Sequence, residues 1–398
     1  MVPEGWIHTT FGRHIECLTG FAFKSERYSN AEDDIRLLRG DNIEPGSLRW
    51  RDAKLWPKNE TDGLDGYHLQ DGDFVVALDR TWISSGLKVA EVTTEDLPCL
   101  LVQRVARIRA KDSLEQSLLR QYFSGHRFEQ YVKSVQTATA VPHISPNDIK
   151  EFTVLLPPLP EQKKIAQILS TWDQAITATE RLLENSQQRK KGLMQQLLTG
   201  KKRLRGCEGE FNDLPLSEAA RITMGTSPKS AAYNSSGEGL PLLQGNADIE
   251  NRRSKPRVYT SEITKACQPG NILLSVRAPV GSVAISDHEA CIGRGICAIQ
   301  AKPGNDQAFL YQWMLWYEPR WASLSQGSTF ESVNSADIKN LNVRVPKAAE
   351  QSAIAQVLST GDQEIISLQN RLECLKREKK ALMKQLLTGK RRVQVEAA

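Results

Sequence analysis

Two long segments of the chain carry apolar residues at alternating spacings of four and three positions, which places them on one face of an α-helix. The segments are residues 161–203 and 350–392, and neither contains proline. So narrow an apolar stripe is typical of the seam of a coiled coil. The predicted seam residues are Ile165, Leu169, Trp172, Ile176, Leu183, Leu193 and Leu197 in the first segment, and Ile354, Leu358, Ile365, Leu368, Leu372, Leu375, Leu382 and Leu386 in the second.

The two helical segments are repeats of one another. Aligned without a gap at an offset of 189 residues, they are identical at 24 of 43 positions. The chain is therefore interpreted as two tandem units, each with a variable body followed by a long helix. We predict a first body over residues 1–156, a first helix over 157–205, a second body over 206–345 and a second helix over 346–398.

A lone helix of about 40 residues, roughly 60 Å long at the standard rise, cannot bury its own stripe. Two related stripes in one chain can bury each other, and an antiparallel pair is the simplest arrangement. The alternative is that each long helix packs onto its own body. We predict an α+β fold with two mixed α/β bodies, an antiparallel coiled coil of two long helices, and a pseudo-twofold tandem repeat.

The two bodies differ in most residues but share landmarks that suggest one scaffold with two different surfaces. A Leu-Leu-x-Gly sequence occurs at 37–40 and at 242–245, and a basic cluster follows each copy. An apolar strand, an arginine and later a polar loop come next in both bodies. Arginine and lysine can pair with guanine, and asparagine or glutamine with adenine, so we predict DNA contacts there. The predicted contacts are Asn42, Arg49, Arg51, Lys54, Arg80, Gln136 and Thr137 in the first body, and Asn246, Arg252, Arg253, Lys255, Arg277, Gln326 and Ser328 in the second.

Composition permits this interpretation without requiring it. The net charge of +5 is mild, so any DNA binding depends on local basic patches, and a solvated surface charge is the alternative for each arginine. Seven cysteines without a Cys-x-x-Cys pair argue against a disulfide framework and a zinc ribbon. No run of about 18 apolar residues occurs, and the start of the chain lacks the pattern of a signal peptide. We expect a cytoplasmic protein that does not bind a membrane.

Motifs for catalysis are missing from the sequence. The histidines show no zinc-ligand spacing, and Gly200-Lys201-Lys202 lacks the other residues of a phosphate-binding loop. Asp148-x-Lys150 and Asp337-x-Lys339 resemble part of a nuclease motif, but neither has a recognisable upstream acidic partner. We interpret both as structural turns or caps, and we predict no catalytic residue, no metal site and no cofactor on this chain.

The tandem organisation resembles the specificity subunits of type I restriction–modification systems. The most specific segments are Pro-Pro-Leu-Pro-Glu-Gln at 157–162, its counterpart at 346–351, and Gln-Leu-Leu-Thr-Gly-Lys at 196–201 and 385–390. The resemblance covers almost the whole chain.

The resemblance implies that each body is a target recognition domain for one half of a bipartite site in double-stranded DNA. It implies that the two helices are conserved and set the spacing of the halves. The partners would be two methyltransferase subunits and the restriction/translocase subunits. S-adenosylmethionine, ATP and Mg²⁺ would act in those partners, where adenine is methylated and DNA is cut.

Two other functions remain open at this point. The chain can be the specificity subunit of another restriction or defence methylase-nuclease system, or a coiled-coil scaffold that binds protein instead of DNA. Genomic neighbours distinguish the first alternative, and selection from random DNA distinguishes the second.

Overall fold

The computed structural model describes residues 2–137, 140–325 and 332–395, without the side chains of residues 322–325. Two of the predicted DNA contacts, Gln326 and Ser328, lie outside the described residues. The chain divides into two compact units, Met1–Ala178 with Leu372–Ala398, and Thr179–Arg371. Each unit is described by itself below.

The first unit holds one body and parts of both long helices. Its strands are β1 (Ile7–Thr10), β2 (Ile15–Thr19), β3 (Ile35–Leu38), β4 (Ile43–Glu44), β5 (Ser47–Leu48), β6 (Lys54–Trp56), β7 (Phe74–Ala77), β8 (Trp82–Ile83), β9 (Gly86–Leu87), β10 (Val89–Glu91), β11 (Cys99–Leu101), β12 (Val105–Ala110) and β13 (Thr153–Leu156). Its helices are α1 (Gln116–Phe123), α2 (His126–Val135), α3 (Pro146–Glu151) and the first half of α4 (Leu159–Leu197).

The second unit follows a similar, although not identical, order of elements. Its strands are β14 (Asn212–Pro215), β15 (Ala220–Met224), β16 (Tyr233–Asn234), β17 (Leu240–Leu243), β18 (Ile249–Glu250), β19 (Arg253–Ser254), β20 (Val258–Thr260), β21 (Ala266–Cys267), β22 (Ile272–Ser275), β23 (Val283–Ile285), β24 (Ala290–Ile292), β25 (Ile296–Ala301) and β26 (Asn342–Val345). Its helices are α5 (Leu216–Ala219), α6 (Gln307–Ser325), α7 (Ser335–Lys339) and α8 (Ala348–Leu386), whose last part belongs to the first unit.

Strand pairing repeats between the units. In the first, β2, β12, β7 and β10 form an antiparallel sheet; in the second, β15, β25, β22 and β23 do so in the same order. A second sheet holds β11 parallel to β3 and β6 antiparallel to it, matched by β24, β17 and β20. The two bodies therefore share one topology although their sequences diverge.

The central strand of each body is buried on both faces. Phe74 and Val76 of β7 face the main core beside the helices, whereas Val75 faces a second core under β3 and β11. In β22, Ile272 and Leu273 divide in the same way. Because side chains alternate along a strand, the short apolar runs of the sequence are the strands that lie between two apolar layers.

The long helices complete the core of each unit with their ends. In the first unit, Ile165 and Leu169 of α4 lie in the same apolar core as Leu386 of α8. In the second, Leu197 of α4 shares a core with Ile354 of α8. The ends of each long helix therefore pack onto a body and against the other long helix at the same time. The sequence had left these two kinds of packing as alternatives, and both occur.

Ion pairs at these ends repeat at the 189-residue offset. Arg392 binds Glu161 in the first unit, with 2.9 Å between Nε and Oε2, and Arg203 binds Glu350 in the second at 2.7 Å between Nε and Oε1. Each glutamate lies in the first turn of one long helix and each arginine follows the end of the other. Within each unit the two helix segments therefore run in opposite directions.

Every predicted seam residue is buried or half-buried in the described helices. The exposed large apolar residues of α4 and α8, such as Leu182 and Ile366, lie off the predicted stripe. Burial of this kind is what a shared seam requires.

The two Asp-x-Lys sequences are helix caps. Asp148 accepts hydrogen bonds from the backbone N–H and hydroxyl of Ser145 at the start of α3, and Asp337 accepts one from the backbone N–H of Asn334 at the start of α7. Both form capping boxes that satisfy otherwise unpaired helix donors. No helix among the described residues is long and apolar enough to cross a membrane.

The internal repeat gives a matched test of one charged pair. Asp73 is buried and binds Arg109 through two hydrogen bonds, whereas the equivalent residues of the second unit are Asn271 and Gln300. This bond raises the pKa of Arg109, so the arginine stays charged. We expect Arg109→Gln to lower the free energy of unfolding by about 2 kcal/mol, because it leaves the buried Asp73 carboxylate with the N–H of Gln70 but without a charged partner.

The double variant Asp73→Asn with Arg109→Gln copies the second unit and should recover most of this loss. Urea unfolding followed by tryptophan fluorescence measures both variants against the unmodified chain. If the double variant is no more stable than Arg109→Gln alone, the loss does not come from the unpaired carboxylate.

Candidate nucleic-acid interface

Loops from neighbouring strands meet at one edge of each body, here called the loop edge. Since β3 and β11 are parallel neighbours, the loops after them, residues 39–42 and 103–104, leave the sheet on the same side. The backbone N–H of Leu78, just after β7, donates to the carbonyl of Arg104 and brings the next loop, residues 79–81, to this edge. In the second unit the corresponding loops are residues 244–248, 293–295 and 277–282. Loops at the carboxyl ends of strands are where many α/β folds carry their binding residues.

A buried polar side chain holds the first loop of each edge. Asn42 accepts a hydrogen bond from the N–H of Arg39 and donates to the carbonyl of Arg49, both at 3.0 Å. In the second unit, Asp248 takes this place and accepts from the N–H of Gln244 at 2.8 Å. Asn42 is thus occupied in shaping the loop, and its structural counterpart is Asp248, whereas a gapless alignment of the two Leu-Leu-x-Gly sequences pairs it with Ala247.

A short hairpin lies at the basic cluster of both units: it precedes Arg49 in the first and contains Arg252 and Arg253 in the second. Arg49 and Lys255 occupy the same position, since each donates its backbone N–H to the loop residue Asn42 or Asp248. Each also binds the glutamate of its own hairpin, Glu44 in the first unit, at 3.2 Å from Arg49 Nε, and Glu250 in the second. A cation and an acidic residue therefore recur together at this point of the loop edge.

The remaining predicted cations of the first cluster are exposed. Arg51 has 86% of its side chain exposed and lies 4.0 Å from the Asp52 carboxylate, and Lys54 is exposed at the start of β6. Both can reach a ligand without displacing a strong intramolecular partner, because an exposed ion pair at this distance contributes little.

The second cluster has more acidic partners. Arg252 donates to the Glu318 carboxylate at 2.6 and 2.7 Å, and Arg253 donates to Asp287 at 2.8 Å. Both arginines remain more than half exposed, so a phosphate can compete for their outer N–H groups.

The loops after β7 and β22 carry the next two predicted arginines. Arg80 has a positive φ of 47° and donates its backbone N–H to the carbonyl of Pro142. This places it beside the loop of Thr137, whose hydroxyl lies 2.9 Å from His143 Nδ1, with Gln136 half-buried next to it. Arg277 is exposed and its backbone bridges to Ser332.

Three further cations at the loop edges were missed by the sequence analysis. Burial lowers the pKa of Lys88, whose backbone N–H donates to the carbonyl of Thr81, the residue after Arg80. Arg104 has a positive φ of 69° and lies 3.7 Å from Asp79, and Arg294 is exposed in the equivalent turn. The flanking glycines 293 and 295 marked a tight turn in the second unit, but nothing comparable marked Arg104.

The loop edges offer cations and hydrogen-bond donors. No group of three histidine, cysteine or acidic side chains in the described parts of the chain is arranged to hold a metal ion. Guanidinium and ammonium groups on loops beside a rigid sheet are suited to hold phosphates and to reach base edges.

Comparisons with known proteins agree with this chemistry. Residues 52–185 and 209–377 match the model of the family described as the type I restriction modification DNA specificity domain. The putative type I restriction enzyme MjaX specificity subunit of Methanocaldococcus jannaschii is 34% identical over 288 residues, which are 69% of this chain and 67% of that protein. The EcoAI specificity subunit of Escherichia coli is 34% identical over 182 residues, 46% of this chain and 30% of that protein.

Solved structures share the fold over nearly the whole chain. The S subunit of a type I restriction–modification system from M. genitalium superposes with a TM-score of 0.66 at 14% identity, covering 97% of this chain and 96% of that one. A chain from a structure of type I complex assembly superposes with a TM-score of 0.59 at 24% identity, covering 98% and 99%. Because the family model matches both tandem units, this chain belongs to the type I restriction–modification DNA specificity family.

Proposed function

We propose that this chain reads a bipartite site in double-stranded DNA, with one half bound at the loop edge of each body. The observation that carries the proposal is that one loop edge is built twice on one topology while its exposed side chains differ. Asp79 is replaced by Arg277, and Ser47 by Arg253, at equivalent positions of the paired strands and loops. Two readers with different side chains recognise two different half-sites.

The chemistry of the edges suits direct reading of bases. An arginine can donate two hydrogen bonds to guanine in the major groove, and other cations of the same cluster can bind phosphates. The acidic partners, such as Glu44 and Glu318, compete with unspecific anions for the arginines. Affinity that depends on phosphate contacts should fall steeply with salt.

The domain limits predicted from the sequence assign DNA reading to the two bodies and spacing to the two helices. We propose target recognition domains at 1–156 and 206–345 and linking helices at 157–205 and 346–398. The helices form an antiparallel coiled coil with pseudo-twofold symmetry, and its length sets the gap between the half-sites. The buried seam positions and the ion pairs that recur at an offset of 189 residues support this arrangement.

The partners follow from family membership. We propose that two methyltransferase subunits dock on the duplicated surfaces, that restriction/translocase subunits join them in the cytoplasm, and that S-adenosylmethionine, ATP and Mg²⁺ act in those subunits. The duplicated chain offers two similar docking surfaces, which suits two copies of one partner. The chain itself supplies recognition, and the catalytic groups belong to the partners.

Alanine at the two basic clusters should damage one half-site at a time. We expect Arg252→Ala with Arg253→Ala and Lys255→Ala to weaken binding of the second half-site by about tenfold to a hundredfold, while selectivity at the first half-site stays unchanged. Selection of bound sequences from random DNA, with the complex of this chain and its methyltransferase partner, measures both half-sites at once.

The matched variant is Arg49→Ala with Arg51→Ala and Lys54→Ala, which should damage only the first half-site. Loss of both half-sites in either variant would indicate a folding defect, which the unfolding midpoint reveals. An absence of any sequence preference in the unmodified complex would favour the protein scaffold.

A disulfide can test the pairing of α4 and α8 in the second unit. A Cβ built at Gly361 lies 3.8 Å from the Cβ of Lys190, which is the mean separation in disulfides. The double variant Lys190→Cys with Gly361→Cys should therefore cross-link under mild oxidation and change its mobility on a non-reducing gel.

Gly192 supplies the control, because a Cβ at this position meets no atom within 4 Å. Gly192→Cys with Gly361→Cys should stay uncross-linked within one chain. Equal cross-linking of both pairs would show that the helices are not paired as proposed.

A further inference from the structure

A buried polar cluster joins three helices in the first unit. The ammonium of Lys379 on α8 binds Asp173 Oδ1 on α4 at 2.6 Å, and the side-chain N–H of Gln121 on α1 binds Oδ2 of the same carboxylate at 2.7 Å. Both oxygens of Asp173 are thus used by different helices. Lys379 lies on the 4,3 stripe of α8, where apolar residues are otherwise the rule.

The second unit contains the same cluster with the helices exchanged. Lys190 of α4 binds Asp362 Oδ1 on α8, and Gln312 of α6 donates to Asp362 Oδ2 at 2.7 Å. Lysine and aspartate are related to those of the first unit by the 189-residue offset, whereas Gln312 comes from the divergent body. The two Gln–Asp–Lys clusters are therefore equivalent, with one copy in each unit.

Burial makes these contacts selective. The side chains of Lys379 and Lys190 are 16% and 11% exposed, and Gln121 and Gln312 are 2% and 1% exposed. A charge this far from water is strongly disfavoured unless its partner is in place. A single polar residue at such a position is the usual way in which a coiled coil specifies its register at some cost in stability.

A slip of the helices by one heptad separates every charged partner. Moving α8 past α4 by seven residues would set Asp173 opposite Leu372 or Leu386, according to the direction of the slip. The same movement would set Asp362 opposite Leu183 or Leu197. The apolar seam alone tolerates such a slip, because leucine meets leucine in several registers, whereas the two carboxylates do not.

We infer that the two Gln–Asp–Lys clusters fix the register of α4 against α8 and attach each body to that register through its glutamine. One consequence of this inference rests on the proposed function, in which the helix pair is the spacer between the half-sites. If the clusters fix the register of that pair, they also determine the length of the DNA gap. A heptad slip displaces the helices by about 10 Å, the length of about three base pairs. These six residues are positioning residues, and they contact no base.

Disulfide reporters can measure the register without any DNA. All reporter chains carry Gln312→Leu, Asp362→Leu, Cys374→Ser and Gly361→Cys. A second cysteine replaces Lys190 to report the native register, or Leu183 or Leu197 to report a slip, with Lys190→Met in the latter two. The second-unit cluster is thereby removed from every chain, so that only the first-unit cluster differs between the members of a pair.

Each reporter is made with the first-unit cluster intact and with Gln121→Leu, Asp173→Leu and Lys379→Met. With the cluster intact, only the native pair should cross-link. With the apolar replacement, the ratio of slipped to native disulfide should rise about tenfold, the ratio that one lost buried polar contact produces. Apolar replacement of buried ion pairs usually preserves folding, so the chains remain soluble for the measurement. A ratio that stays constant overturns the inference.

A charge exchange separates register from stability. Asp173→Lys with Lys379→Asp keeps an ion pair in the native register, and the side-chain oxygen of Gln121, which is buried and unpartnered, can accept from the new ammonium. This variant should return the slipped disulfide to the level of the intact cluster. If it slips as much as the apolar variant, the cluster acts only through general packing and the inference fails.

Binding to a set of DNA sites with altered gaps tests the functional consequence. In the full complex, apolar replacement of both clusters should reduce the preference for the native gap over gaps changed by up to three base pairs by about tenfold. If the disulfides report a slip but the preference for the native gap is unchanged, the clusters do not determine the gap length. Loss of half-site selectivity in the unmodified complex would instead refute the proposed function, and the register result would stand on the disulfides.

Discussion

Each long helix has an apolar stripe that one body covers only at one end, and this constraint organises the rest of the molecule. The first unit buries the beginning of α4 and the end of α8 in one core, and the second unit buries the opposite ends in another. Neither body can complete its core without both helices. Duplication of a body with its helix therefore satisfies a packing requirement that a single copy would leave unmet.

Polar contacts add selectivity that apolar packing lacks. The Glu161–Arg392 and Glu350–Arg203 pairs mark where one helix starts beside the end of the other, and in this alignment both buried lysines of the stripe bind aspartates of the opposite helix. Hydrophobic burial supplies stability without direction, whereas a buried charge penalises every arrangement that leaves it unpaired. The structure uses both, in the same helices.

The sequence predicted the family correctly, along with the tandem repeat and the two long helices, because these features depend on periodicity and on close similarity between the copies. The loop edges were harder to predict. One extra residue between Leu243 and the following turn shifts the equivalence, so that Asp248 instead of Ala247 matches Asn42. Arg104 carried no local signal, because its position at the edge comes from parallel pairing of distant strands. The predicted DNA contacts themselves stay predictions.

Divergence between the two bodies is confined by the way each is built. Positions on β7 and β22 face two apolar layers and keep the same alternation, whereas the hairpin that carries Ser47 in one unit carries Arg253 in the other without disturbing a backbone hydrogen bond. Backbone pairing places the loops, so their side chains are free to change. A pair of readers on one topology can thus acquire different targets while the helices, and the alignment that their buried charges require, remain the same.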